Sequence, residues 1–346
     1  MRQGEARELR WIEWIRRLEA EGPTEAFPLG IGDDAAIWRP PPGRSVVLTV
    51  DAQVEGVHFR REWLSPGEIG ARAVTASVSD LAAMAARPVA ILVSLCVEVD
   101  IAEEELRALH LGIRRAARAY GARIVGGNLS AGPLSLTITA VGEGKEGQLL
   151  RRSGAREGDE VWVTGSPGLA RLGLLALQGK AASRSGIAER SRGPIVAALR
   201  AFRRPRARIR EALHFRERWG PTAMIDLSDG LARDLRHVLS ESSRGKGRAL
   251  GATVEEARLE GLGKLPRIAA LLGEDAAGTA LEGGEDYEIL FTAPPRRNRE
   301  TQVRAFRKAF GLGLTRIGRI DQGAGIRLVS PDGSTTRVEA RGWEHF

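Results

Sequence analysis

SPGEIGARAVTASVSDLAAMAARPVAILVSLCVEV, residues 65–99, holds a helix start, a helix stop and a strand in direct succession. Ser65 is a capping residue, Pro66 suits the first turn, and Glu68 completes a capping box. The alanine-rich run that follows predicts a helix to about Ala86. Arg87-Pro88 ends it, because a residue before proline is driven out of the α region. Val89–Val99 is apolar and rich in β-branched residues and predicts a strand. Working outward, Ser45–Val50 predicts another strand after the turn PPPG at 40–43, and Leu9, Ile12, Ile15 and Leu18 predict an amphipathic helix over 6–20. On the other side lie a predicted helix Ile101–Tyr120, capped by Asp100 and stopped at Gly121, and strands Ala122–Val125 and Leu134–Gly142. This alternation predicts a mixed α/β layer structure.

A chain of 346 residues exceeds one ordinary core, so two domains are expected, 1–145 and 146–346, joined through the loop Gly142–Arg152. The second half reads as strand Glu160–Thr164, helices near 167–178, 193–202 and 205–218, strand Thr222–Ile225 and a helix from about Asp229 to Ser240. A flexible loop over 243–252, strand Tyr287–Thr292, helix 298–310 and strands near 315–320 and 326–330 follow. With 42% hydrophobic and 28% charged residues, the composition is that of a folded globular protein. No apolar run approaches the roughly 20 residues of a membrane helix, and the first residues lack the apolar core of a secretory signal. The single cysteine, Cys96, lies in an apolar run, which predicts a buried structural thiol and a cytoplasmic protein.

The net charge of +8 raises the possibility of a nucleic-acid partner. The arginines, however, are spread along helices such as Ile113–Arg118 and Arg203–Arg210, and only 5% of residues are aromatic, too few for a stacking platform. Solvated arginine-rich helix faces explain the charge better, and neither nucleic acid nor membrane is expected as a partner. The positive field favours small anionic substrates.

The P-loop, the H-E-x-x-H motif and paired-cysteine metal sites are absent from the sequence. Gly142-Glu-Gly-Lys-Glu-Gly147 matches G-x-G-x-x-G formally, but no helix opens after it and it reads as a turn. What remains is acidic. Asp33-Asp34 lies in a glycine-bounded loop, Asp51 ends a strand, and Asp80 interrupts an apolar helix. Asp226 and Asp229 flank Ser228 where a strand meets a helix, and Glu285-Asp286 follows two glycines. Singly, each has a structural explanation: an Asx turn for Asp33-Asp34, a helix cap for Asp229. Together, crowded carboxylates repel unless hard cations neutralise them, and Mg²⁺ takes oxygen ligands and leaves sites for phosphate oxygens. Gly126-Gly127 after a strand would let backbone amides approach a phosphate, and Arg152 suits a bidentate phosphate contact, its alternative being a surface arginine in a linker.

The ordered segments GIGDDAAI, TVDAQVEGVHF, VSDLAAMAARP, GARIVGGN, RSGAREGDEVWVTGSPG, IDLSDGLARDL, LEGGEDYEILFT, RIGRI and GWEHF resemble the thiamine-monophosphate kinase family, in the superfamily that includes aminoimidazole ribonucleotide synthetase and selenophosphate synthetase. They cover the chain from about residue 30 onward. The resemblance implies the two-domain fold of that superfamily, a homodimer whose N-terminal strands form a shared barrel, and transfer of the ATP γ-phosphoryl group to thiamine phosphate. It implies Asp34, Thr49, Val50 (through its carbonyl), Asp51, Asp80, Asp226 and Asp229 as magnesium ligands, with Tyr120, Gly127, Arg152 and Ser228 at ATP. His58, Glu285 and Trp343 would meet thiamine phosphate, the tryptophan by stacking on the cationic substrate. Asn128, a metal and ATP position, stands where the family commonly has Asp, and keeps a carbonyl oxygen without the charge. The rival readings are another ATP-dependent synthetase of the superfamily, against which the Trp343 tail argues, and a basic nucleic-acid binder.

The chemistry agrees with the resemblance. A phosphate monoester is largely dianionic at neutral pH, so its oxygen needs no general base. The obstacles are repulsion between two anions and their alignment, which cations and Arg152 address. Direct in-line transfer without a catalytic acid or base is therefore expected.

Overall fold

The computed structural model describes residues 3–19, 22, 24–180, 192–245 and 249–339. Its contacts divide the chain into two compact units, the first running to Leu81 and including Ala86–Leu149, the second holding Ala82–Ala85 and everything from Leu150.

In the first unit, α1 (Gln3–Leu18) is followed by β1 (Arg44–Val54), α2 (Pro66–Ala83), β2 (Arg87–Val97), α3 (Glu103–Ala119), β3 (Arg123–Ala131) and β4 (Ser135–Lys145). The strands form one sheet in the order β1-β4-β2-β3, with β1 at an edge. Half of the capping box forms: Glu68 Oε2 accepts the Ser65 amide at 3.1 Å, but the Ser65 hydroxyl also donates to Glu68 Oε2, at 3.0 Å, and the Glu68 amide goes to the Ser65 carbonyl at 2.9 Å. Alternation along β1 gives its two faces different tasks. Val46, Leu48 and Val50 share one face and are exposed. Thr49 and Asp51 share the other, opposite the buried Ala140 and Ile138 of β4. There α2 lies against the sheet, its Ser77 hydroxyl donating to the Ile138 carbonyl at 2.9 Å.

The second unit contains β5 (Glu160–Thr164), α4 (Leu169–Leu175) with a π turn over Ala176–Lys180, α5 (Arg192–Arg203), α6 (Ile209–Arg218), β6 (Ala223–Leu227), α7 (Leu231–Ser243) and β7 (Leu250–Glu255). Three short helices follow, α8 (Glu256–Glu260), α9 (Leu265–Leu272) and α10 (Ala276–Glu282), then β8 (Glu288–Ala293), α11 (Arg299–Phe310), β9 (Leu314–Gln322), β10 (Gly325–Val329) and β11 (Thr335–Val338). Seven strands form a mixed sheet in the order β11-β10-β7-β9-β5-β8-β6. One face carries an aromatic cluster in which Phe215 lies 4.4 Å from Phe291 and 5.0 Å from Phe306 between ring centroids. Fully burying such a side chain contributes about 1.5–3 kcal/mol.

Several local expectations need correction. Asp100 does not cap α3. The amide of Ile101 first closes a turn onto Glu98, and the helix starts at Glu103 with Ala102 as its N-cap. Asp229 does not cap α7, whose N-cap is Gly230. The flexible loop foreseen over 243–252 contains the first residues of β7, and α8 to α10 were not foreseen. Gly142-Glu-Gly-Lys belongs to β4, with a turn only after it. Cys96 is partly exposed, not buried. Among the described residues, no helix is long and apolar enough to cross a membrane.

Candidate active site

Two acidic corners stand out, one in each unit. In the first, Thr49 and Asp51 project from the helix-covered face of the edge strand β1, and Asp80 meets Thr49 from α2. The Thr49 hydroxyl donates a short hydrogen bond to Asp80 Oδ2. This answers how a carboxylate is tolerated in an apolar helix: it is half-buried and paired. Asp34 lies apart in sequence on an exposed loop, where its own amide donates to Asp33 Oδ1 at 2.8 Å, one residue short of the Asx turn expected there.

The glycine pair lies where β3 runs parallel to β2. Gly126 and Gly127 pair with Leu92 and Val93, and Asn128 with Ser94. A Cβ on Gly127 would sit 2.0 Å from the Val93 carbonyl oxygen, so no other residue fits there. Asn128 follows, exposed. Tyr120, at the end of α3, has its hydroxyl 3.1 Å from Thr75 Oγ1 on α2. His58 accepts the Val54 amide at Nδ1, 3.1 Å, which puts the proton of the neutral ring on Nε2.

In the second unit, β6 delivers Asp226 at its carboxyl end, buried at 5% exposure, and the chain turns through Ser228 and Asp229 into α7. Gly230 makes the turn possible, since its φ of 116° and ψ of 145° are open to glycine alone. Asp229 is partly exposed and lies 3.6 Å from Arg233 Nε. A third carboxylate completes the corner: Asp234 is 2% exposed, and its Oδ2 accepts the amides of Ser228, Asp229 and Gly230 at 3.1, 3.2 and 3.2 Å. Burial first, then the negative charges of Asp226 and Asp229, push its carboxyl well above the usual range, against the pull of the amide bonds. Asp234 escaped the sequence reading because an acid in a first helical turn reads as solvated. Its place between Leu231 and Leu235 was the available signal.

The loop carrying Glu285 docks on this corner. The Glu285 amide donates to the Ser228 carbonyl at 2.7 Å and the Tyr287 amide to Leu227 at 2.8 Å, with Glu285 and Tyr287 both at positive φ. Asp286 turns the other way, and its oxygens accept the amides of Gly168 and Ala170. Arg152 is exposed. Its neighbour Arg151 accepts the Met224 amide at 2.9 Å, which lays this segment beside β6. The Arg152 charge reaches His237 on α7, whose pKa is lowered mainly by burial and next by Arg152. Trp343 lies outside the described residues.

The candidate metal positions are all oxygen donors, the set a hard divalent cation prefers. Asp34, Thr49, Val50, Asp51, Asp80 and Asn128 belong to the first unit, Asp226 and Asp229 to the second. No three His, Cys, Asp or Glu side chains among the described residues converge closely enough to hold an ion by themselves. A cation here would therefore draw on hydroxyls, carbonyls and water as well.

Residues 32–144 match the N-terminal domain of AIR synthase related proteins. Over 339 residues the chain is 31% identical to the thiamine-monophosphate kinase of Escherichia coli K12, covering 97% of this chain and 96% of that one. The chain belongs to the thiamine-monophosphate kinase family. Among solved structures, the thiamine-monophosphate kinase from Stenotrophomonas maltophilia K279a superposes with a TM-score of 0.77 at 33% identity, covering 94% of this chain and 96% of that one. AaThiL complexed with AMPPCP and TMP superposes with a TM-score of 0.72 at 29% identity, covering 100% and 99%. The two acidic corners of this chain are thus those of a thiamine-monophosphate kinase family member.

Proposed function

We propose that this chain transfers the γ-phosphoryl group of ATP to thiamine phosphate, giving thiamine diphosphate and ADP. The observation that carries the reading is the match to curated thiamine-monophosphate kinases along 97% of the chain, joined to a full-length structural neighbour that holds an ATP analogue and TMP.

The acceptor is already a dianion at neutral pH, so no residue has to take a proton from it. The work of the chain is positioning and charge. Tyr120, Gly127, Asn128, Arg152 and Ser228 are the proposed ATP contacts, and His58, Glu285 and Trp343 the proposed thiamine phosphate contacts. Exposure of Arg152 beside β6 suits a guanidinium that must meet phosphate oxygens. The Nε2–H of His58 suits a donor to an anionic acceptor. No phosphoenzyme is needed, because both substrates can be bound at once and react in line.

Magnesium is the proposed metal. Asp34, Thr49, the Val50 carbonyl, Asp51, Asp80, Asn128, Asp226 and Asp229 would hold it, and it would neutralise phosphate charge as the two anions approach. What supports this is the all-oxygen donor set and the gathering of Asp226 and Asp229 within electrostatic reach of the buried Asp234. A homodimer through the N-terminal sheet is also proposed: Val46, Leu48 and Val50 are 45%, 67% and 59% exposed on one face of β1, and Leu92, joined to Val50 through Thr139, extends it. A cytoplasmic enzyme with the halves 1–145 and 146–346 as its domains completes the proposal, with no role for nucleic acid or membrane.

The test is a coupled assay of purified protein with ATP, Mg²⁺ and thiamine phosphate, with thiamine and an aminoimidazole precursor as alternative acceptors. Thiamine diphosphate from thiamine phosphate alone is the expected result. Turnover of the aminoimidazole precursor instead would move the chain to the synthetase branch.

A further inference from the structure

We infer that Asp234 is a positioning residue, whose Oδ2 clamps three successive main-chain amides and so sets both the Asp226–Asp229 turn and the Glu285 loop that hangs from it. The inference rests on the reading of Ser228, Asp229 and Glu285 as ligand contacts, and deepens it.

The geometry is a chain of backbone bonds. The amides of Ser228 and Asp229 lie in the turn before α7 and that of Gly230 at its N-cap, where no helical carbonyl precedes them to accept. A capping side chain ordinarily serves such donors from the turn before the helix, yet Asp229 and Ser228 do not do so here. Asp234 does it from inside the helix, one turn on, and at 2% exposure water cannot take its place. With its amides satisfied by Asp234, the turn does not need the side chains of Ser228 and Asp229 as caps, and the Asp229 carboxylate faces Arg233 instead. The carbonyl of Ser228 then receives the amide of Glu285 at 2.7 Å and that of Leu227 receives Tyr287 at 2.8 Å. A Cβ on Gly284 would fall 2.8 Å from the same Ser228 carbonyl, so the two loops are in contact. One carboxylate thus fixes the backbone beneath a proposed nucleotide contact and a proposed acceptor contact together. Loss of the clamp displaces both, and a shift of about 1 Å costs roughly 100-fold in rate.

The experiment measures residue-level amide exchange in the ligand-free protein, together with thermal unfolding and kinetics, for wild type, Asp234→Ala, Asp234→Asn and Val238→Ala. In wild type, the amides of 228–230 are expected to exchange as slowly as those in the middle of α7; exchange at the rate of an exposed loop overturns the clamp, whatever the variants do. Asp234→Ala is expected to speed exchange at 228–230 and at Glu285 by at least about tenfold. It is also expected to lower kcat roughly 10- to 100-fold and to raise KM for thiamine phosphate. Asp234→Asn keeps an accepting oxygen and retains slow exchange; a folded Asn variant with unprotected amides overturns the proposal. Val238→Ala removes a buried side chain from the same helix and is expected to lower Tm while leaving KM and the 228–230 amides unchanged. Matching changes in Val238→Ala would reduce Asp234 to general stability and overturn the positioning role. A wild-type protein that forms no thiamine diphosphate would refute the functional reading, while the exchange results would still judge the clamp.

Discussion

Ser79-Asp80-Leu81 and Ser228-Asp229-Gly230-Leu231 are near copies in sequence, yet they occupy unlike structures. The first lies inside α2, where Asp80 reaches the Thr49 hydroxyl by its side chain alone. The second straddles the start of α7, where the backbone is held by a buried carboxylate and the side chains of Ser228 and Asp229 are left to the outside. The inserted glycine makes the difference. No residue of β1 or α2 has positive φ, whereas Gly230 sits at 116°. The first corner therefore relies on side-chain contacts across two elements, and the second on fixed backbone. Loss of one side chain should cost the first corner its chemistry and leave its fold intact, while changes in the second should reach stability as well.

Asp51→Ala tests this contrast with the largest expected effect. Asp51 is half-buried at the edge strand, and removing its carboxylate is expected to lower kcat by roughly 100- to 1,000-fold. Unfolding and oligomeric state should stay as in wild type, because the β1–β4 ladder does not depend on that side chain. Turnover near the wild-type rate in the thiamine diphosphate assay would remove Asp51 from the metal set. A large fall in Tm would erase the distinction between the corners.

What the sequence made visible follows the range of the forces involved. The Ser65–Glu68 contact is local, and the two residues do meet at the start of α2, through the Glu68 carboxylate. The strand-helix alternation and the mixed α/β class are also local patterns, and the family segments made the fold and the enzyme class legible in advance. β7 was missed because its pairings are with β9 and β10, some seventy residues later, and its Gly251 weakens any strand signal. Asp100 was misjudged as a cap because a preceding turn at Ile101 postpones the helix. At the site, acids beside glycines could be listed, but Asp51, expected at a strand's end, lies inside β1, which pairs with β4 as far as Val54, and which backbone donors the acids serve could not be read. Asp234 and Asp286 owe their roles to amides four or more residues away, and to burial that only packing creates.

Gly230→Ala should produce a smaller effect, and one confined to the second corner. Its φ and ψ lie in a region that costs an L-residue about 1–3 kcal/mol. The new Cβ would also stand 3.1 Å from the carbonyl carbon and oxygen of Glu282. A fall in Tm of several degrees is expected, with a weaker fall in kcat. Differential scanning calorimetry and the same assay separate the two. An unchanged Tm would mean that the turn relaxes freely, and that backbone fixation is not what sets the second corner apart.

The subtlest expected effect is a pH dependence, at another buried carboxylate of that unit. Burial pushes the Asp286 carboxyl from 3.8 up to about 8, against the amides of Gly168 and Ala170 and with help from the charges of Glu288 and Glu285. A folded pKa above the unfolded one means that the native state holds the proton more tightly. The resulting stabilisation is fully present below about pH 4 and is lost progressively as pH rises toward and through about 8. Asp286→Asn has no proton to lose, so its unfolding should lack this component. The Tm of wild type minus that of Asp286→Asn should thus be highest below about pH 4 and fall steadily as pH rises toward about 8. A difference that stays constant or rises with pH would mean that the carboxylate is ionised in the native state, its charge carried by the two amides. Asp286 would then hold its turn as an anion, and burial would not be what governs the proton in this half of the molecule.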